Sequence, residues 1–246
     1  MFRSLAIPIC AFLPAVLAAS GNLSNARVTA NFNNRGLASL NDRAAHFTWR
    51  FPKDEFSITL GGRNYTSESL GAPTRKNQET SVTYSYTAGP YQLDSVYELR
   101  PTGRFIIKRL IVTAAPGKFR IDEIAVFRAA VAGAVRDVSI LNRGRENLGT
   151  GDYGAFLRFE PSRGLLVTAQ NPFLAFHREG NDFSLAYKPA MEWDMSWGAF
   201  ESDRGLLAPY ELSGNHQPGQ MLPEWWLGVV RREQQQIHPG RIFREQ

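Results

Sequence analysis

One cysteine, Cys10, is all the chain of 246 residues contains, and no apolar run is long enough to span a bilayer. Cys10 falls in an N-terminal segment where Arg3 precedes an apolar stretch from Leu5 to Leu17, followed by Ala18-Ala19-Ser20. This is the layout of a secretory signal peptide cut after Ala18 or Ala19. The stretch is 13 residues long and broken by Pro8 and Pro14, whereas a spanning helix needs ~20 apolar residues. A lipoprotein with acylated Cys10 would want small residues just before it, where Pro8-Ile9 stands. The mature chain is thus expected to lack thiols and disulfides, to be secreted or periplasmic without a membrane partner, and to depend on its core for stability.

Equally absent are the signatures of several enzyme classes. There is no Gly-x-Ser-x-Gly, no HExxH and no mature cysteine nucleophile. The four histidines, at 46, 177, 216 and 238, show no ligand spacing, so neither a metal nor another cofactor is expected. The net charge is a mild +5. Between Arg100 and Arg145 ten Lys or Arg stand against three Asp or Glu, but they are spread along apparent strands and read as a solvated outer sheet face, with an anion-binding surface as the alternative. With export and no recognition motif, nucleic acid is not an expected partner.

A sustained helical period is also missing. From Asn25 onward the chain alternates or is rich in β-branched and aromatic residues, which makes the fold class all-β. Leu93, Ser95, Tyr97 and Leu99 alternate with more polar neighbours, Arg100-Pro101-Thr102-Gly103 turns, and Phe105 to Val112 returns: a long antiparallel hairpin with Gly103 expected at positive φ. Phe119 to Ala132 is apolar on both faces, as a strand covered on two sides would be. Shorter strands are expected at 26–32, 37–40, 46–50, 56–60, 81–87, 156–159, 165–169, 173–176, 183–187 and 208–212. So many strands require two large stacked antiparallel sheets. The boundaries are a signal peptide at 1–19, one sandwich domain at 20–230 and a frayed or truncated tail at 231–246.

The succession "GLASLNDRAAHFTWRFPKDEFSITLGGRNYTSESL", "YQLDSVYELRPTGRFIIKRLIVT", "GLLVTAQNPFLAF" and "LLAPYELSG" resembles the N-terminal β-supersandwich of large glycoside hydrolases, especially alpha-galactosidase-like enzymes, within the galactose-mutarotase-like superfold. The resemblance covers roughly residues 25–228. It implies a sandwich that precedes a catalytic (β/α)₈ barrel holding the two working carboxylates. A barrel needs ~250 further residues of alternating strand and helix. The expectation is therefore a non-catalytic, carbohydrate-associated module, acting alone or with a (β/α)₈ domain or separate subunit, and no catalytic residue is assigned within it.

Sugar sites pair a flat aromatic ring with hydrogen-bonding carboxylates or amides. The stretch Met191 to Gly205 has that composition, with Trp193 and Trp197 beside Glu192, Asp194, Glu201 and Asp203; Asn171, in Gln170-Asn171-Pro172-Phe173, adds an amide. Two other uses of these residues stand beside that one: the tryptophans fill the sheet interface and the acids pair with Arg204 or Arg178, or Asn171-Pro172 simply starts a turn. In a regular strand Trp193 and Trp197 would face one side and Glu192 and Asp194 the other, so a sugar lip requires a loop or bulge. Pro223-Glu224-Trp225-Trp226 reads as a seam. A stand-alone aldose epimerase would need a His–Glu pair, for which His177 or His216 with Glu179, Glu192 or Glu224 are available. A purely structural module is the third alternative.

Overall fold

The computed structural model describes residues 21–142, 152–161, 163–171 and 174–211. The signal peptide expected at 1–19, with Cys10, as well as His216, the Trp225-Trp226 pair and the tail expected at 231–246, lie outside them. In chain order the strands begin with β1 (Asn22–Ser24), β2 (Val28–Phe32), β3 (Leu37–Asp42), β4 (Phe47–Arg50), β5 (Lys53–Leu60) and β6 (Arg63–Thr66). There follow β7 (Thr74–Asn77), β8 (Ser81–Ala88), β9 (Tyr91–Glu98), β10 (Ile106–Ala114), β11 (Lys118–Ala130) and β12 (Asp137–Asn142). The last are β13 (Asp152–Glu160), β14 (Arg163–Ala169), β15 (Ala175–Glu179), β16 (Asp182–Tyr187), β17 (Met191–Asp194), β18 (Phe200–Glu201) and β19 (Gly205–Glu211).

All described pairings are antiparallel. A nine-stranded sheet runs β12-β13-β14-β19-β10-β9-β8-β7, with β18 also on β10, and a six-stranded sheet runs β15-β16-β11-β5-β6, with β17 also on β11. The two large sheets and the all-β class agree with the sequence. A four-stranded N-terminal sheet, β1-β2-β3-β4, is an addition to that expectation. Strand β11 is the spine of the six-stranded sheet, with Ile124, Ala125, Val126 and Phe127 all buried. Each large apolar side chain buried this way, Phe56, Ile58, Leu93 and Phe127 among them, is worth roughly 1.5–3 kcal/mol.

The long hairpin is present: β9 and β10 pair from Glu98↔Ile107 to Tyr91↔Ala114, and the Gly103 amide donates to the Arg100 carbonyl at 2.9 Å. Gly103 does not take a positive φ, contrary to the turn read from the sequence. The turn is instead held from outside, since the Asn25 side-chain amide donates to the Arg100 and Gly103 carbonyls at 2.9 and 2.8 Å. An external clasp removes the need for a left-handed residue.

A second correction concerns the basic residues of this region. Lys108 is not on a solvated outer face but fully buried between the sheets. It shares the core-facing side of β10 with Ile106, Leu110 and Val112, and its Nζ donates to Asp54 Oδ1 at 2.7 Å and to the Glu55 carbonyl at 2.9 Å. Asp54 is satisfied from three sides, since Tyr97 Oη and the Leu37 amide donate to its Oδ2 at 2.7 and 2.9 Å. The ammonium also lies 5.1 Å from the Tyr97 ring centroid and 5.0 Å from that of Phe127. Gly36 makes room for this network: a Cβ there would fall 2.9 Å from the Asp54 carbonyl and 3.0 Å from Tyr97 Oη. Charge and partners thus tie β5 of one sheet to β9 and β10 of the other and to the N-terminal sheet. Burial holds the Lys108 ammonium below the ordinary lysine range, against the pull of Asp54, and pushes the Tyr97 hydroxyl well up.

Candidate functional site

The stretch from Met191 to Gly205 leaves β11 midway. Strand β17 pairs with the start of β11, Lys118 opposite Asp194, Phe119 opposite Trp193 and Arg120 opposite Glu192. The period of two then places Trp193 on the core-facing side with Phe119, and Glu192 on the other with Lys118, whose Nζ lies 3.3 Å from Glu192 Oε1. The alternation stops at Asp194. Its Oδ1 accepts the Ser196 amide at 2.9 Å and caps a single 3₁₀ turn, Met195–Trp197, while the Met195 amide donates to the Gly117 carbonyl at 3.0 Å. Gly198 closes the turn at φ 96°, a conformation side chains avoid, and its amide returns to the Met195 carbonyl at 3.1 Å.

This turn brings the two tryptophans together. Their rings meet edge to face with centroids 5.4 Å apart, and Trp193 packs in the same way on buried Phe200 at 5.2 Å. Trp193 is half-buried and its Nε1 donates to the Gly198 carbonyl at 2.9 Å. Trp197 is the exposed large hydrophobic residue among the described ones, 55% accessible. The inner ring, locked by packing and a hydrogen bond, supports an outer ring that presents a free face. The Ser196 amide beside Asp194 holds its carboxyl below the usual carboxylate range, so it stays ionised at the rim at neutral pH.

The residues singled out from the sequence therefore separate. Trp193 and Trp197 meet at one turn, Asp194 caps that turn from the position opposite Lys118, and Glu192 shares the face of Lys118, away from Trp193. Glu201 lies in β18 opposite Ile111 of the other sheet, its Oε1 3.4 Å from Arg109 Nε. Asn171 donates from Nδ2 to Asp203 Oδ2 at 2.8 Å, a tie between the end of β14 and the approach to β19. No group of three or more His, Cys, Asp or Glu positioned for a metal occurs among the described residues. No helix among them is long and apolar enough to cross a membrane.

Sequence reasoning missed a concave feature elsewhere on the molecule. An open cleft of about 380 Å³ is lined by Lys53, Arg128, His177, Arg178, Glu179, Asp182 and Ser184, with Ala129 and Phe183. The signal available was the shared parity of His177 and Glu179 on β15, but its meaning depended on strand neighbours that the sequence does not specify.

No protein-family profile matches the chain, and no curated protein matches it in sequence. Solved structures do. The α-mannosidase from Enterococcus faecalis V583 is similar with a TM-score of 0.53 at 9% identity, over 87% of this chain and 31% of that one. A quadruple mutant of the α-N-acetylgalactosaminidase NagBb from Bifidobacterium bifidum is similar with a TM-score of 0.54 at 12% identity, over 86% of this chain and 39% of that one. A galactose mutarotase related enzyme from Lactobacillus acidophilus has a TM-score of 0.46 at 8% identity, over 80% of this chain and 99% of that one. The class of protein is thus an all-β sandwich whose fold is shared with part of each of the two glycosidases. The chain spans 31% and 39% of the length of the two glycosidases, and at these identities the likeness speaks for the fold alone.

Proposed function

We propose that this sandwich is a carbohydrate-associated module, non-catalytic on its own, which borders a sugar site with the turn at Trp193–Trp197 and serves a secreted or periplasmic protein. The observation that supports it is the exposed Trp197 ring braced on Trp193 beside an ionised Asp194. A flat ring takes the C–H face of a pyranose, and a rim carboxylate accepts its hydroxyls. The glycosidase activities belong to the similar proteins; for this chain they motivate the choice of ligand. A site with a single wall holds sugar weakly, about −4 kcal/mol or millimolar affinity, and a (β/α)₈ domain or separate subunit would supply the second wall.

His177 and Glu179 share the cleft on β15, the nearest approach to an epimerase pair, yet no hydrogen bond or ion pair joins them among the described residues. The purified protein is accordingly expected neither to hydrolyse aryl glycosides nor to speed galactose or glucose mutarotation above the buffer rate. Polarimetry decides this: acceleration that vanishes in His177→Ala would replace the module reading with the epimerase.

A further inference from the structure

The cleft lies at the end of β11 remote from the tryptophans, ten residues and roughly 33 Å of extended strand away. Its residues come from adjacent rungs of the six-stranded sheet. Arg128 pairs with Glu55 on one side and Ser184 on the other, and Ser184 with His177. One step along, Ala130 pairs with Lys53 and Asp182, and Asp182 with Glu179. Directly paired residues share a face, so these side chains all rise from the outer face, opposite Asp54 and Phe183 in the core. The register of β11 against β5 slips just before Arg128, a bulge of the kind found where a sheet redirects a side chain.

The cations of this cleft are used unequally. Lys53 Nζ sits 3.3 Å from Glu55 Oε2. Arg128, half-buried among the strands, has no ion pair or hydrogen bond from its guanidinium among the described residues. A partly desolvated guanidinium with free donors fits the two oxygens of a carboxylate. Glu179 and Asp182 at the rim make the cleft unsuitable for a polyanion, whose further charges they would repel, but suit them to accept hydroxyl protons. One carboxylate and several hydroxyls on one small molecule describe a hexuronate. The cleft volume of about 380 Å³ is at the lower end of the ~300–1,000 Å³ range of small-ligand sites, enough for one or two sugar rings.

We infer that this outer-face cleft is a uronate-binding subsite, with Arg128 on the carboxylate, Lys53 reinforcing it, and Ser184, Asp182 and Glu179 on the ring hydroxyls. The choice of a sugar acid rests on the carbohydrate reading; the site itself is independent of the tryptophan turn.

The test is chemical-shift titration of the full chain with galacturonate, glucuronate and digalacturonate, against galactose, glucose and acetate. It is run on wild type, Arg128→Met, Lys53→Met and Trp197→Ala, each checked by a thermal melt. Expected are shifts confined to β11, β15 and β16 and affinity for uronates at least tenfold above both neutral sugars and acetate. That preference should disappear in Arg128→Met, weaken in Lys53→Met and in raised salt, and persist in Trp197→Ala. Equal binding of uronate and neutral sugar, equal binding of uronate and acetate, or unchanged uronate affinity in a folded Arg128→Met or Lys53→Met overturns the subsite. Loss of neutral-sugar binding in Trp197→Ala alone concerns the turn and leaves the cleft standing, so the two readings fail separately.

Discussion

The sheet interface and the turn after β17 contain the same kinds of residue, a carboxylate among aromatic rings, and use them in opposite ways. Between the sheets Asp54 accepts from Lys108, Tyr97 and the Leu37 amide, and every ring around it is buried. At the turn Asp194 spends one oxygen on the Ser196 amide, and the ring beyond it stands 55% exposed. A buried polar group must be satisfied by the protein because water cannot reach it, and once satisfied it has nothing left for a ligand. The exposed turn carries no such requirement. Function is therefore sought where hydrogen-bonding capacity and apolar surface are left over.

The largest effect should come from breaking the buried network. Asp54→Ala leaves the Lys108 ammonium uncompensated in the core and should cost about 3–5 kcal/mol, as removal of one partner of a buried pair does. Lys108→Ala should cost a similar amount. A denaturant midpoint unchanged in either variant would mean that the network does not hold the sheets together. The tryptophans sharpen the comparison at smaller scale. Trp193→Ala removes a half-buried ring packed on Phe200 and should cost about 2 kcal/mol, less than the ~3–5 kcal/mol of a fully buried aromatic. Trp197→Ala should stay within about 0.5 kcal/mol of wild type, as exposed substitutions do. Equal losses in both melts would make the outer ring a structural residue.

A subtler expectation concerns alkaline pH. Burial raises the hydroxyls of Tyr84 and Tyr97 well above their ordinary value of 10.0, and that of Tyr86 to about 12. Between pH 10 and 12 the unfolded chain gives up tyrosine protons that the folded chain keeps, so stability falls as pH rises through this window. Lys108, held below its ordinary 10.5, acts with the opposite sign, but only up to that pH, where the unfolded lysine too loses its proton. The denaturant midpoint should therefore decline between pH 10 and pH 12, and Tyr86→Phe should flatten the decline. A midpoint that is constant across that interval would contradict the burial of these hydroxyls.

Much of this architecture was legible because the period of two is a local signal. The β9–β10 hairpin follows from alternation, and the run Ile124–Phe127 of β11, apolar on both faces, reads as a stretch buried on two sides. Strands such as Arg63–Thr66 and Thr74–Asn77 escaped because they are polar, and their pairing with β5 and β8 identifies them only in three dimensions. Lys108 was misplaced although it shares parity with Ile106 and Leu110; a lysine in that register makes sense only once Asp54, 54 residues away, is known to face it. At the turn the composition was readable but its division was not. Glu201 and Asn171 looked like neighbours of the tryptophans, and the cap at Asp194, with the switch of sheets at β18, sends Glu201 to Arg109 and Asn171 to Asp203. The cleft at Arg128 needed four strands brought side by side, information that no single segment carries.

The claim that the Trp193–Trp197 turn meets sugar is tested most directly by titrating tryptophan fluorescence against galactosides, glucosides and xylosides up to molar concentration, on wild type and Trp197→Ala, with a melt of each. The account predicts a saturable change of millimolar midpoint for at least one sugar in wild type, its loss in the variant and nearly identical melts. No saturable change with any sugar, or a change that survives in Trp197→Ala, would contradict it.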